Sequence, residues 1–139
     1  MTSKTVIKVG MASCGIAAGA RPVYEALRNA AESHEDVEIQ EVGCIGLCFR
    51  EPLVEIEQNG QRTLYGEVTP EKALEIFEKH VNGKTPLEEN VVLSTEVEAE
   101  ENTMISKQVR IVLENCGRID PTNIDEYIHA NGYKGLEKA

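Results

Sequence analysis

Residues 5–9 alternate apolar and polar side chains toward Gly10, the period of two that marks a strand with one buried face. A run of small residues follows through residue 20 and is read as a loop of functional character. Pro22 suits the first turn of a helix, and Val23, Ala26, Leu27, Ala30 and Ala31 recur at helical spacing as far as Ser33. VEIQEV, ending before Gly43, then predicts a second strand. The strand-helix-strand order implies that the two strands run parallel. After Pro52, LVEIE and RTLYGEV alternate around Asn59-Gly60, which predicts an antiparallel hairpin over residues 53–68. Thr69 followed by Pro70 starts a helix whose apolar face is Ala73, Leu74, Ile76, Phe77 and Val81, and Asn82-Gly83 ends it.

The pattern weakens after residue 83. Residues 84–103 carry six Glu after a single Lys and are read as an acidic connector, with VVLSTEVE as an alternative edge strand. Residues 104–139 regain an apolar RIVL segment and a helix that Asp120 and Pro121 start, but they are too few to hold a core of their own. The expected organisation is therefore a α/β domain over residues 1–83, a linker over 84–103 and a mainly helical docking extension over 104–139.

Charge and composition narrow the function. A net charge of -10 argues against nucleic acid as a partner, because neutralising phosphates needs clustered Lys and Arg. No apolar run approaches the ~20 residues that span a bilayer, and the first residues lack the apolar stretch of a secretory signal, so membrane insertion is not expected and the location is read as cytoplasmic. In a reducing compartment the four cysteines are better metal ligands or redox groups than disulfides. Cys44 and Cys48 form C-x3-C in a glycine-punctuated loop after the second strand, and Cys14 lies in the corresponding loop after the first. Both loops leave the carboxyl ends of adjacent parallel strands. Three soft thiolates converging there suit an iron-sulfur cluster or zinc. The alternative is that these thiols are small buried residues. A thiol-disulfide reductase would favour C-x-x-C. His34, His80 and His129 read as surface or capping groups, and no nucleophile-base-orienter set is visible, so the chain is not expected to catalyse alone.

IKVGMASCGIAAGARPVYEAL followed by VGCIGLCFREPLVEI resembles the thioredoxin-like 2Fe-2S ferredoxin family. The nearest likeness is to the module ahead of the flavin- and NADH-binding subunit of complex-I-type dehydrogenases and electron-bifurcating hydrogenases. VRIVLENCGRIDPTNIDEYIHANGYKGLEKA resembles the opening of that subunit's flavoprotein core. The resemblance implies a thioredoxin-like fold (βαβ, a β-hairpin and a final helix) and a 2Fe-2S cluster on Cys14, Cys44 and Cys48. It also implies electron transfer inside an NAD(P)H-linked flavoprotein oxidoreductase. FMN and NAD(P) are expected on a flavin- and NAD(P)H-binding partner, beside other iron-sulfur subunits. The family pattern, C-x4-C then C-x3-C, is incomplete here: the first loop holds only Cys14, with Gly10 or Gly15 taken to stand in for the missing thiol. The fourth ligand is left open. Cys116 is read as structural, with a reach back to the cluster as its alternative. The incomplete set leaves a rival function, a cluster-free docking subunit of the same kind of complex.

Overall fold

The computed structural model describes residues 4–95, 105 and 107–139. β1 (Thr5–Gly10), β2 (Val37–Val42), β3 (Val54–Gln58), β4 (Gln61–Tyr65) and β5 (Val91–Ser94) form one sheet in the order β2-β1-β3-β4-β5. β1 pairs parallel to β2, from Thr5 opposite Val37 to Gly10 opposite Val42. The pairs β1-β3, β3-β4 and β4-β5 are antiparallel. Asn59 and Gly60 both take positive φ, the geometry of a two-residue turn that follows the twist of β3 and β4.

Alternation decides which face is covered. Ile7, Val9, Val54, Ile56 and Tyr65 point to the side where α2 (Ala20–Ala31) and α3 (Pro70–Ile76) lie. α2 buries Ala20, Val23, Leu27 and Ala31, spaced by three and four residues, against this face. Full burial of each large aliphatic chain is worth about 1.5–3 kcal/mol, so this one layer supplies much of the folding free energy. Thr69 caps α3 through its hydroxyl, which accepts the Lys72 N–H at 3.2 Å. The helix does not stop at Ile76: Phe77–Asn82 continue it as a π-helix that buries Phe77, His80 and Val81. His80 is thus interior rather than surface or capping. Its Nδ1 is 2.8 Å from the Tyr65 hydroxyl, and that oxygen also accepts the Leu87 N–H at 3.1 Å.

Two segments depart from the pattern read along the chain. The small-residue run after β1 contains a helix, α1 (Ser13–Ala18), closed by Gly19 in the left-handed region. Val91–Ser94, for which an edge strand had been the alternative to connector, is that strand, and Leu87, Val91 and Val92 are buried with it. Residues 96–103 of the expected acidic connector lie outside the described residues.

The other face of the sheet carries a charge ladder, with Lys8 Nζ 3.0 Å from Glu57 and 3.6 Å from Glu55, and Arg62 2.7 Å from Glu55. A second, smaller apolar group, Leu47, Leu53, Leu64 and Val92, lies beside Ile45. In the extension the helix begins later than Asp120-Pro121 suggests. α4 (Ile124–His129) is capped by the Asn123 side chain, and α5 (Lys134–Lys138) follows.

Candidate metal centre

Backbone hydrogen bonds fix the first loop before any side chain is considered. The Gly10 N–H donates to the Leu53 carbonyl at 3.0 Å and the Met11 N–H to the Val42 carbonyl at 3.0 Å. The start of the loop is thereby tied to both strands that flank β1. Cys14 then sits in the first turn of α1. On the other side, Cys44 lies two residues beyond β2, and Cys48 opens a short 3-10 turn, Cys48–Arg50.

These anchors bring the three thiols together: the Sγ atoms of Cys14, Cys44 and Cys48 all lie within 4.8 Å of one another. Cys44 and Cys48 are 3.4 Å apart, and the Gly46 N–H points at Cys44 Sγ from 3.3 Å. Such N–H donors stabilise thiolate charge and tune a bound metal. Cys14 and Cys44 are half-buried and Cys48 is exposed, so the cluster of sulfurs opens to the surface at the end of the sheet.

Glu51 is the residue that pattern reading passed over. It follows the C-x3-C loop by three positions, yet it is only 8% exposed. The Leu53 N–H donates to its Oε2 at 2.8 Å, while Oε1 lies 3.8 Å from Cys14 Sγ. Among the described residues no Lys or Arg side chain pairs with it. Burial lifts its carboxyl above the ordinary range, against the lowering effect of the Leu53 N–H and the Cys14 contact. Burial also pushes the Cys14 thiol up to about 12, with Cys44, Cys48 and Glu51 adding to the shift. In the metal-free site Cys14 therefore holds its proton, and binding a metal must release it.

Glycine at 10 and 15 makes room for this carboxylate. A Cβ on Gly10 would come 3.2 Å from both Glu51 oxygens, and one on Gly15 would overlap the Gly10 carbonyl and reach 3.1 Å from Oε2. Counted strictly from Cys14, the C-x4-C position falls at Val9 on one side, one residue from Gly10, and at Gly19 on the other. That residue has φ 103, and a Cβ there would meet nothing within 4 Å.

The extension is not detached from the site. Arg110 Nη2 donates to the Ile45 carbonyl at 2.8 Å, Gly117 backs onto the Ile45 side chain, and Pro121 approaches Gly43. Cys116 lines, with Gly10 and Glu51, a cleft of about 790 Å³ but is not one of the three converging thiols.

Three converging thiols of soft character supply three of the four donors that a 2Fe-2S centre takes, and to that extent the residues present fit one. Comparison with known proteins agrees. The family model for the thioredoxin-like [2Fe-2S] ferredoxin matches residues 1–81. The chain is 34% identical over 88 residues to the NADP-reducing hydrogenase subunit HndB of Solidesulfovibrio fructosivorans, spanning 61% of this chain and 70% of HndB. A 36-residue stretch is 56% identical to the NADP-reducing hydrogenase subunit HndC of the same organism, 26% of this chain and 7% of HndC. The solved thioredoxin-like [2Fe-2S] ferredoxin of Aquifex aeolicus superposes with a TM-score of 0.60 at 24% identity, covering 66% of this chain and 93% of that one, a likeness of fold. With well over half its length matched, this chain belongs to the thioredoxin-like [2Fe-2S] ferredoxin family.

Proposed function

We propose that this chain is an electron-transfer subunit or module that carries one 2Fe-2S cluster on Cys14, Cys44 and Cys48 within an NAD(P)H-linked flavoprotein oxidoreductase. The observation that carries the reading is the convergence of the three thiols within 4.8 Å at an open end of the sheet. A bound cluster supplies one-electron exchange, and the chain's part is to hold it, tune it and present it. The Gly46 N–H beside Cys44 and the exposure of Cys48 serve the second and third tasks.

The partner side of the proposal is a flavin- and NAD(P)H-binding subunit, with FMN and NAD(P) bound there and further iron-sulfur subunits beyond it. Support comes from the likeness to two proteins named as subunits of one NADP-reducing hydrogenase. It also comes from the surface. Phe49, next to Cys48, is 68% exposed, and together with Ile111 and Val112 it lines a groove beside the thiols. A partner that covers this groove buries apolar area and comes close to the cluster at the same time. Among the described residues no helix is long and apolar enough to cross a membrane. A cytoplasmic site is the reading consistent with free thiols.

Anaerobically reconstituted protein, reduced with dithionite, tests the electron-transfer role. About one unpaired spin per chain, with the paramagnetic resonance signal of a reduced 2Fe-2S centre, is the expected result. Absence of any such signal in iron-loaded, folded protein would refute it.

A further inference from the structure

The three thiols leave a tetrathiolate set one donor short, and the buried carboxylate beside them answers to that vacancy in charge, distance and enclosure. We propose that Glu51 supplies the fourth ligand, through Oε1, to the iron that Cys14 binds. The inference rests on the cluster reading above and adds a residue to it.

Glu51 reaches the group of thiols through Cys14, and all three thiols lie within 4.8 Å of one another. Cys44 and Cys48 are 3.4 Å apart, and Cys14 Sγ and Glu51 Oε1 are 3.8 Å apart. Two donors on one tetrahedral metal, at ~2.3 Å for sulfur and ~2.1 Å for oxygen, lie about 3.6 Å from each other. The Cys14–Glu51 separation is close to that value, so these two donors are placed to share one iron of the two that a 2Fe-2S centre holds. Charge points the same way. A carboxylate buried without a cation is costly, and among the described residues Glu51 has none. An iron removes that cost. Because the carboxylate carries the same single negative charge as a thiolate, the centre keeps the net charge it would have with four cysteines.

Enclosure is the third line. Oε2 is fixed by the Leu53 N–H, which leaves Oε1 to face Cys14. Gly10 and Gly15 both lie where a Cβ would press within 3.2 Å of the carboxylate. The strand end and the first helix are thus shaped around this side chain. Metal-ligating carboxylates are held in this manner by a second hydrogen bond. The rival donor, Cys116, lines the same cleft but lies outside the group of converging thiols.

The test is 57Fe Mössbauer spectroscopy and iron analysis of the full chain reconstituted anaerobically with iron and sulfide, with E51Q, E51C and C116S alongside. Gln at this position still accepts the Leu53 N–H, so circular dichroism should report an unchanged fold. The expected result is two unequal iron sites in the wild type and in C116S, two equal all-sulfur sites in E51C, and loss of more than half the iron in E51Q. Equal all-sulfur sites in the wild type would overturn the proposal, as would a wild-type spectrum in E51Q or loss of the inequivalence in C116S. Those outcomes leave the cluster itself standing. A folded wild type that takes up no iron would overturn both the ligand and the cluster reading.

Discussion

Replacing Gly15 with alanine sets two effects of opposite sign against each other. Gly15 lies inside α1, where alanine is favoured over glycine by about 0.5–1 kcal/mol. Its added Cβ, however, would fall well under 3.0 Å from the Gly10 carbonyl oxygen, and the two must separate by roughly 1 Å to reach ordinary contact. Gly10 cannot yield, because it is paired with Val42 in β2 and its N–H is held by the Leu53 carbonyl. The helix must move instead and take Cys14 with it. Overpacking of this kind costs about 1–3 kcal/mol, which exceeds the propensity gain. Net of that gain, a loss of about 1–2 kcal/mol lowers Tm by roughly 4–16 °C in a domain of this size. A shift of ~1 Å is also about twice what a preorganised ligand set tolerates, so iron binding should fall further than stability does. Differential scanning calorimetry and iron content per chain measure the two effects. Gly19→Ala is the control: φ 103 strains the backbone by ~1–2 kcal/mol, but the new Cβ meets nothing, so Tm drops while iron stays. Full iron and an unshifted Tm in Gly15→Ala would refute the reasoning, and so would equal iron loss in both variants.

Three other outcomes follow from the packing and the charges. Tyr65→Phe removes the hydroxyl that bonds His80 Nδ1 and accepts the buried Leu87 N–H, taking one partner from each, so chemical denaturation should show a loss of about 1–3 kcal/mol. A chain ended after Gly83 lacks buried Leu87, Val91 and Val92, worth together about 4–9 kcal/mol before ordering costs, and should fail to fold cooperatively, whereas one ended after Thr95 should melt in a single transition. In metal-free protein Cys14 has a folded pKa of about 12 against an ordinary 9.0, so the unfolded chain loses that proton first as pH rises. Stability should be fully present below about pH 9 and decline toward pH 12, and Cys14→Ala should flatten that decline in pH-dependent unfolding curves.

Periodicity along the chain carried the elements that have one buried face: β1, α2, β2, the β3-β4 hairpin and α3. It carried the thiols of Cys14, Cys44 and Cys48 because strand order alone put their loops at one end of the sheet. Features that depend on contacts between distant residues were not legible in the same way. Glu51 in FREP has the composition of a polar loop, and it is enclosed only when the end of β1 and the first turn of α1 come up against it. His80 carries no local sign that Tyr65, on the far strand, will satisfy it. β5 was ambiguous because VVLS is short and runs by way of Thr95 into the acidic stretch that begins at Glu96, and its partner β4 lies across a helix in sequence. The link from Arg110 to Ile45 spans 65 positions and has no signature in either segment.

The central claim is that three converging cysteines hold a 2Fe-2S cluster, and it is tested most directly by iron and acid-labile sulfide analysis of the full chain purified without oxygen, with Cys44→Ser and Cys48→Ser beside it. The account predicts about two irons and two sulfides per wild-type chain, with the visible absorption of a 2Fe-2S centre, and severe loss of both in each variant. A folded wild-type chain that is colourless and free of iron, or that holds one zinc instead, would contradict it.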